Sequence, residues 1–549
     1  MSGTPGLYVP AADARAAASL LLLRDGADGL ELLMLRRAER DGDRRSGATV
    51  FPGGVLDARD RAAHAHCTGP DDAAFSRRLG VAEGGLDYAI AALRETFEEV
   101  GLLLATGSFD LAALQGWRER LQQGTAGAAE FCVANGLKLD LRELAYFAHW
   151  LTPPGAAKRF DTRFFAAPAP VGQIAEADGG ETVELMWLTP RAALDPARQL
   201  KLLPVTRRIL QQMASYADVA IAMDTLRRVA EVPLVMPRRG LGARGQEVVV
   251  LPHELPYAEI GRLDAQGRGD VHVDVLPGRA VRLSPRIVRV TAPNPGPMTG
   301  PGTNSYLVGD GQRCTVIDPG PVSDQHLQAL LAAAPGRIER ILVTHTHRDH
   351  SPGAAALAAA TGAPVWGRTA AHAMWQDERF APDHEPSHGD QIDAGDGVTL
   401  RVIHTPGHAS NHLCFLLQEE KLLFTGDHVM QGSTVVINPP DGDMAVYLRS
   451  LSALLDEELE WFAPGHGFLV ADPHGVLRAL IAHRLRREAK VLAAVRSAGP
   501  ADVAALVPVA YDEVPAALHG MAARSLLAHL LKLEGEGAVR RAGEAWSAA

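Results

Sequence analysis

Between Thr344 and His350 the chain places three imidazoles and a carboxylate, His345, His347, Asp349 and His350, directly after the apolar Ile341-Leu342-Val343. The run reads as a buried strand ending in a loop, and the loop's composition suits two metal ions. Neutral imidazole suits zinc, and the ligands must then converge from several loops rather than from one helix. The chain supplies further donors in order: His408 in Thr405-Pro406-Gly407-His408, Asp427 in Thr425-Gly426-Asp427, and His466 in Ala463-Pro464-Gly465-His466. The first two follow apolar strands at 400–403 and 422–424, and the last is expected after a helix. Each stands beside Gly or Pro, as loops along one sheet edge would.

A second set of candidate ligands lies far upstream. Glu95, Glu98 and Glu99 are spaced i, i+3, i+4 on the apolar-periodic segment 86–104, which reads as a helix ending near Gly101, so the three carboxylates share one face. Like charges stacked this way repel by ~0.2–0.5 kcal/mol per pair, and a hard divalent cation such as Mg2+ reverses the sign of that effect. A solvated acidic face is the alternative reading of the three glutamates alone.

The elements that must position these groups need more than one core. A chain of 549 residues with 47% apolar residues has material for three or four domains. Its formal charge of −11 argues against a broad polycationic surface, while leaving a local basic channel open. Four scattered cysteines, Cys67, Cys132, Cys314 and Cys414, show neither metal-ligand nor redox spacing, so a reduced, cytoplasmic protein is expected. Neither a secretory leader nor a membrane span is expected from the sequence.

In the first third, 17–23 and 30–35 read as strands joined by the turn residues Arg24 to Gly29, followed by the sharp turn Phe51-Pro52-Gly53-Gly54. The middle carries short expected strands at 248–251 and 271–275. From Ile287 strands and helices alternate: strands at 305–308, 315–318 and 340–344, and a helix at 326–334. Helices at 501–506 and 520–533 and a Gly-bearing turn into a basic strand close the chain.

The segment Arg94-Glu95-Thr96-Phe97-Glu98-Glu99-Val100-Gly101-Leu102, with FPGG upstream, resembles the second half of the Nudix box, REUxEExGU. The family sets its first Gly and this Arg much closer together, whereas Gly54 and Arg94 stand 40 residues apart. The upstream family Glu has no clear counterpart, and Asp57, Asp60 and Asp87 are the nearby carboxylates. The insertion, ATVFPGGVLDA and FAHWLTPPGAAKRFDTRFF are similar to the peroxisomal Nudix branch that hydrolyses coenzyme A and its acyl derivatives with Mg2+ or Mn2+. Gly47 has the spacing of the coenzyme A signature, but Asp43 falls where Arg is expected, with Arg44 and Arg45 beside it.

HxHxDH followed by PGH, GD and PGH resembles the metallo-β-lactamase superfamily over residues 287–490. That resemblance implies that His345, His347 and His408 bind one metal and Asp349, His350 and His466 a second, with Asp427 bridging. It further implies an activated water, with Asp349 orienting it. His404, His412 and His428 match no ligand position. PGPMTGPGTNSYLVG, THTHRDHSPG and HRLRRE at 483–488 are similar to the lactamase-like endoribonuclease branch, to which a small winged helix is appended. Arg484 and Arg487 would then face a phosphate backbone and Asn304 the substrate; alternatively 483–488 is a helix held by its own i, i+4 pairs.

The expected architecture is α/β multidomain: a Nudix α/β/α sandwich over 10–230, a linking region over 231–284, a metallo-β-lactamase αββα sandwich over 285–490 and a winged helix over 491–549. The expected function is metal-dependent hydrolysis, with two Zn2+ or other transition-metal ions in the C-terminal half and Mg2+ or Mn2+ in the Nudix half. Coenzyme A derivatives are the expected small-molecule substrates and single-stranded RNA the phosphodiester one, with a homodimer contact as one role for the winged helix. A thioesterase of the glyoxalase II kind and a non-catalytic metal-binding scaffold are the competing readings of the C-terminal half.

Overall fold

A computed structural model describes residues 8, 11–39, 46–180, 182–395 and 397–549. Asp43, Arg44 and Arg45 of the coenzyme A signature lie outside the described residues. The chain forms two compact units, Met1–Arg238 with Gln266–Arg268, and Arg239–Ala265 with Gly269–Ala549. Among the described residues, no helix is long and apolar enough to cross a membrane.

In the first unit, Arg15–Gly26 and Gly29–Arg37 form the expected hairpin, with Gly26 opposite Gly29. Thr182–Leu188 pairs with the outer side of that hairpin, and Phe160–Pro168 and Ala145–Leu151 extend the sheet on the other side. Alternate residues Leu20, Leu22, Leu33 and Leu35 point into a core with Ile90, Leu93 and Phe97 of the helix Gly85–Val100. That helix stops at Gly101, whose left-handed φ of 71° lets its N–H cap the carbonyl of Phe97. The insertion within the box is folded: Asp71 caps the helix Asp72–Leu79, and Phe75 and Leu79 join the same core.

The second unit stacks two six-stranded sheets. One contains Asn304–Gly309, Arg313–Ile317 and Arg337–Leu342, and the other Val398–His404, Leu413–Leu417, Leu422–Gly426 and Trp461–Pro464. Tyr306, Ile317 and Leu342 from the first meet Leu400, Phe415 and Phe424 from the second in one core. Helices Asp324–Ala333 and Ala354–Thr361 cover one outer face, and Met444–Ala453 and Pro473–Ala498 the other, giving an αββα sandwich. Helices Val503–Ala510 and His519–Gly535 and the hairpin Val539–Ala542 with Ala545–Ala548 form the winged helix, which packs on Val491 and Val495 of the long helix.

Two local expectations change. Residues 271–275 form no strand, because their main-chain pairing is confined to the single residue Leu241. The loop carrying His466 follows the strand Trp461–Pro464 rather than a helix directly. The helix Tyr257–Leu263 packs within the second unit, where Glu259 receives two hydrogen bonds from buried Arg289, at 2.7 and 2.9 Å.

Candidate metal centre

The four donor loops emerge from the ends of strands in both sheets. Residues 345–350 follow Arg337–Leu342, and His408, Asp427 and His466 follow Val398–His404, Leu422–Gly426 and Trp461–Pro464. Their donor atoms meet in three sets, His345 with His347 and His408, His345 with His350 and Asp427, and Asp349 with His350 and His466, each within 4.8 Å. Nδ1 of His347 lies 2.9 Å from Nε2 of His345 and 3.0 Å from Nε2 of His408. In the neighbouring set, Nε2 of His466 lies 3.2 Å from Oδ1 of Asp427 and 3.4 Å from Oδ2 of Asp349. Oδ1 of Asp427 is also 3.4 Å from Nε2 of His350, while its Oδ2 faces His408 at 3.8 Å, so this carboxylate spans both trios. Gly465 permits the convergence, since a Cβ there would stand 2.7 Å from Oδ1 of Asp427 and 2.8 Å from Cε1 of His350.

The inner and outer atoms of these ligands are treated differently. Nε2 of His350, Nε2 of His466 and Oδ1 of Asp427 are buried without a hydrogen-bond partner. Buried polar atoms are rarely left unpaired, and a cation between them would satisfy all three. The outer atoms are tied down. Nδ1 of His350 meets Oδ2 of Asp318 at 2.8 Å, Nδ1 of His408 meets the carbonyl of Val436 at 2.8 Å, and Nδ1 of His466 meets that of Gly302 at 3.2 Å. Thr344 donates its hydroxyl to Asp318 and contacts Nδ1 of His345 at 3.0 Å. Such partners fix tautomer and ring orientation around metal ligands.

Charge follows the same division. Burial, reinforced by neighbouring imidazoles, pushes the pKa of His345 well below the usual histidine range. Burial opposes ionisation of Asp349, yet His350 holds it down at about 2. Burial also opposes the charge of His350, but Asp349, Asp427 and Asp318 outweigh it and raise that imidazole. Without metal, His345 is therefore neutral, while His350 shares its proton with the ionised carboxylates around it and gives that proton up when a cation takes its place, so the donor set fits transition-metal ions.

Asp318 is the functional residue the sequence did not reveal. Its only signal was an ionisable side chain closing an apolar strand before Pro319-Gly320. His412 touches the site through the backbone N–H of Asp427, at 3.3 Å to Nε2, while buried His428 packs edge-on against Tyr447. His404 turns to the carbonyl of Ser410.

Three expected substrate contacts are corrected. Arg484 is buried, bonded to the carbonyl of Val435 and placed over the ring of Tyr447. Arg487 pairs with Glu513 and the carbonyl of Ala510, its guanidinium 4.1 Å over Tyr511. Both therefore pack the long helix against its neighbours and do not present a phosphate-binding face. Asn304 is fully buried and its amide donates to the carbonyls of Pro464, at 3.0 Å, and Gly467, at 2.9 Å, pinning the loop of His466.

In the first unit, Arg94 occupies the middle of the acidic face. Its Nη1 donates to Oε1 of Glu95 at 2.9 Å and of Glu98 at 3.0 Å, and its Nε donates to Oδ1 of buried Asp60 at 2.9 Å. Glu99 accepts the backbone N–H of Gly53 at 2.8 Å, tying the helix to the FPGG turn. A Cβ on Gly54 would stand 2.4 Å from the carboxylate of Glu95 and would displace it from its present position. Burial lifts Glu95 to about 7 and also raises Glu98, against the pull of Arg94. Asp60 belongs to this cluster through Arg94, whereas Asp87 pairs with His64 and Arg61.

Overlapping sets of His and Asp donors at one end of an αββα sandwich define a metal-dependent hydrolase. The chain belongs to the metallo-β-lactamase superfamily and carries a Nudix domain at its N-terminus. The Metallo-beta-lactamase superfamily profile matches residues 298–466, the Beta-lactamase associated winged helix domain 503–546, and the NUDT19 Nudix domain 77–203. An atrochrysone carboxyl ACP thioesterase from Aspergillus chevalieri is 35% identical, over 44% of this chain and 75% of its own. The Beta-lactamase-like protein 2 homolog of Drosophila melanogaster is 33% identical, over 47% of this chain and 91% of its own. A solved Nudix hydrolase from Alicyclobacillus acidocaldarius is 30% identical, over 39% of this chain and 97% of its own, at a TM-score of 0.33.

Proposed function

We propose that the C-terminal unit hydrolyses acyl thioesters and that the N-terminal unit hydrolyses a diphosphate linkage in coenzyme A-like substrates. The observation that carries the first reading is the cluster of donor sets around Asp427, which faces His350, His408 and His466, combined with the withdrawal of Arg484 and Arg487 into helix packing. A phosphodiester substrate needs cations along its backbone, and those two were the candidates for that role. The thioesterase name of the Aspergillus chevalieri relative supports the same choice.

His345, His347 and His408 would hold one transition-metal ion, zinc being the natural choice for this donor set, and Asp349, His350 and His466 the other, with Asp427 between. Bound divalent ions supply Lewis acidity to a carbonyl and lower the pKa of nearby water. Asp349, held by the hydroxyl of Thr303 at 3.2 Å, keeps its Oδ2 in the site, where it would orient the attacking water. Asp318 and the carbonyls of Val436 and Gly302 keep the imidazoles oriented. In the N-terminal unit, Glu95, Glu98 and Glu99 would hold Mg2+ or Mn2+, with Arg94 and the Gly53 N–H fixing the carboxylates beforehand.

Turnover of the full chain on acyl-coenzyme A, coenzyme A and single-stranded RNA tests the assignment. Release of free thiol is expected to disappear in His347→Ala and persist in Glu98→Gln, with the reverse pattern for diphosphate cleavage. RNA cleavage that His347→Ala abolishes, without thiol release by the wild type, would put the phosphodiester reading in its place.

A further inference from the structure

Residues 371–375 form an exposed rim beside the metal centre. The rim is latched to the ligand loop by the residue that follows it. Gln376 forms an isolated antiparallel bridge with His347, its side chain accepts from Thr346 at 2.7 Å, and its amide donates to Asp441 at 3.0 Å. Trp375 adopts a left-handed φ of 70°, which residues bearing a Cβ enter only at a cost. Its indole is nevertheless 49% exposed, beside Met374 at 55%. A large apolar side chain held in a strained backbone and presented to solvent next to a catalytic loop calls for a binding role.

The winged helix supplies the second half of the feature. Arg524, near the start of the helix His519–Gly535, places its guanidinium 4.9 Å over the Trp375 ring. Arg524 is exposed, and among the described residues no hydrogen bond or ion pair engages its N–H groups. This contrasts with Arg484, which is buried against Val435 and Tyr447, and with Arg487, whose Nη groups go to the carbonyl of Ala510 and to Glu513. Stacking on indole fixes the plane of the guanidinium and leaves its edge free for a bidentate anion. Because Trp375 of this platform directly precedes Gln376, which is bridged to His347, its Cα stands within about 9 Å of that of His347.

We propose that Trp375 and Arg524 receive the phosphorylated arm of the thiol carrier, the indole packing on the pantetheine chain and Arg524 pairing with its phosphate. This rests on the thioesterase reading above. One isolated guanidinium suits a single phosphate, whereas a nucleic acid requires a track of cations. The winged helix thereby contributes to substrate recognition in the αββα unit.

The test compares acetyl-4′-phosphopantetheine with acetyl-pantetheine, using the metal-loaded full chain. The wild type is expected to show a KM for the phosphorylated thioester lower by roughly 10- to 100-fold, the range of a charge-assisted pair. Arg524→Ala is expected to erase that preference through KM rather than kcat, Arg524→Lys to restore part of it, and Trp375→Ala to raise KM for both. A preference that survives Arg524→Ala, or is absent in the wild type, overturns the proposal. Turnover of neither thioester removes the thioesterase reading instead, and calorimetry with 4′-phosphopantetheine then decides the platform. Binding that Arg524→Ala abolishes supports it, and no binding, or loss of binding only to an RNA oligonucleotide, overturns it.

Discussion

The imidazole-rich centre of the second unit and the glutamate face of Gly85–Val100 are both built from buried ionisable groups, yet their neighbours satisfy opposite ends of the ligands. Around His350, His408 and His466 the outer ring nitrogens are bonded to Asp318 and to backbone carbonyls, while the inner atoms of His350, His466 and Asp427 face one another without a hydrogen bond. On the acidic helix, the inner oxygens of Glu95 and Glu98 are already taken by Arg94. The first arrangement is preset for cations, and the second carries its own positive charge and must redistribute hydrogen bonds when a metal enters. Imidazole tolerates the first because burial keeps His345 neutral, whereas clustered glutamates need a counter-charge to stay ionised in a buried site.

Chelation separates the two regions most sharply. Stripping divalent ions is expected to lower thioester hydrolysis by ~10³-fold or more, an order of magnitude set by the water activation that the metals supply. Zinc is expected to restore it and Mg2+ is not, while Mg2+ or Mn2+ restores diphosphate cleavage. Recovery of both activities by Mg2+ alone would erase the distinction.

Asp318→Asn probes the preset shell without touching an inner atom. Removing such an outer partner costs about 10- to 100-fold in metal affinity, read by competition with a chromophoric chelator, and diphosphate cleavage is expected to be unaffected. Unchanged affinity would mean that the strand ends alone fix His350.

The acidic helix is expected to respond to pH. Burial holds Glu95 at about 7 in the folded chain, above its ordinary value of 4.5, so the unfolded state favours ionisation and metal-free stability falls as pH rises between these values. A metal ion reverses this cost, so stabilisation by Mg2+, measured as a rise in Tm of the transition belonging to the first unit, should be larger at pH 8 than at pH 5. Equal stabilisation at both would show that Glu95 stays clear of the ion.

The smallest effect belongs to Arg484→Met. Losing its hydrogen bond to Val435 is expected to cost about 1–3 kcal/mol of stability, with thioester turnover changed by less than ~10-fold, because the contact supports the segment that holds His408. A loss of several orders of magnitude would return Arg484 to the substrate.

Arg484 also marks where sequence stops being informative. The alternative reading of 483–488 was a helix held by its own i, i+4 pairs, and the segment lies within Pro473–Ala498, but spacing cannot tell which face meets Tyr447 and Tyr511, since those partners come from elsewhere in the chain. The convergence of His345, His347, Asp349, His350, His408, Asp427 and His466 was legible because coordination demands particular residue types at strand ends beside Gly or Pro. Asp318 was not, because its role depends on Ile317 lying in register with Leu342 on a parallel neighbour, which sets it beside Thr344 and His350. Asn304 was misread for the same reason, its partners Pro464 and Gly467 lying more than a hundred residues away. The Nudix helix was legible from periodicity and its closing glycine, whereas the place of Asp60 depended on how the insertion folds back onto Arg94.

The bridging role of Asp427 is tested most directly by counting metal in the purified full chain by elemental analysis, beside thioester turnover, for the wild type and Asp427→Asn. Two transition-metal ions per chain in the wild type, falling to one or none with loss of thiol release in the variant, is the expected result. A wild type that holds a single ion, or an Asp427→Asn chain that keeps both ions and full turnover, would contradict it.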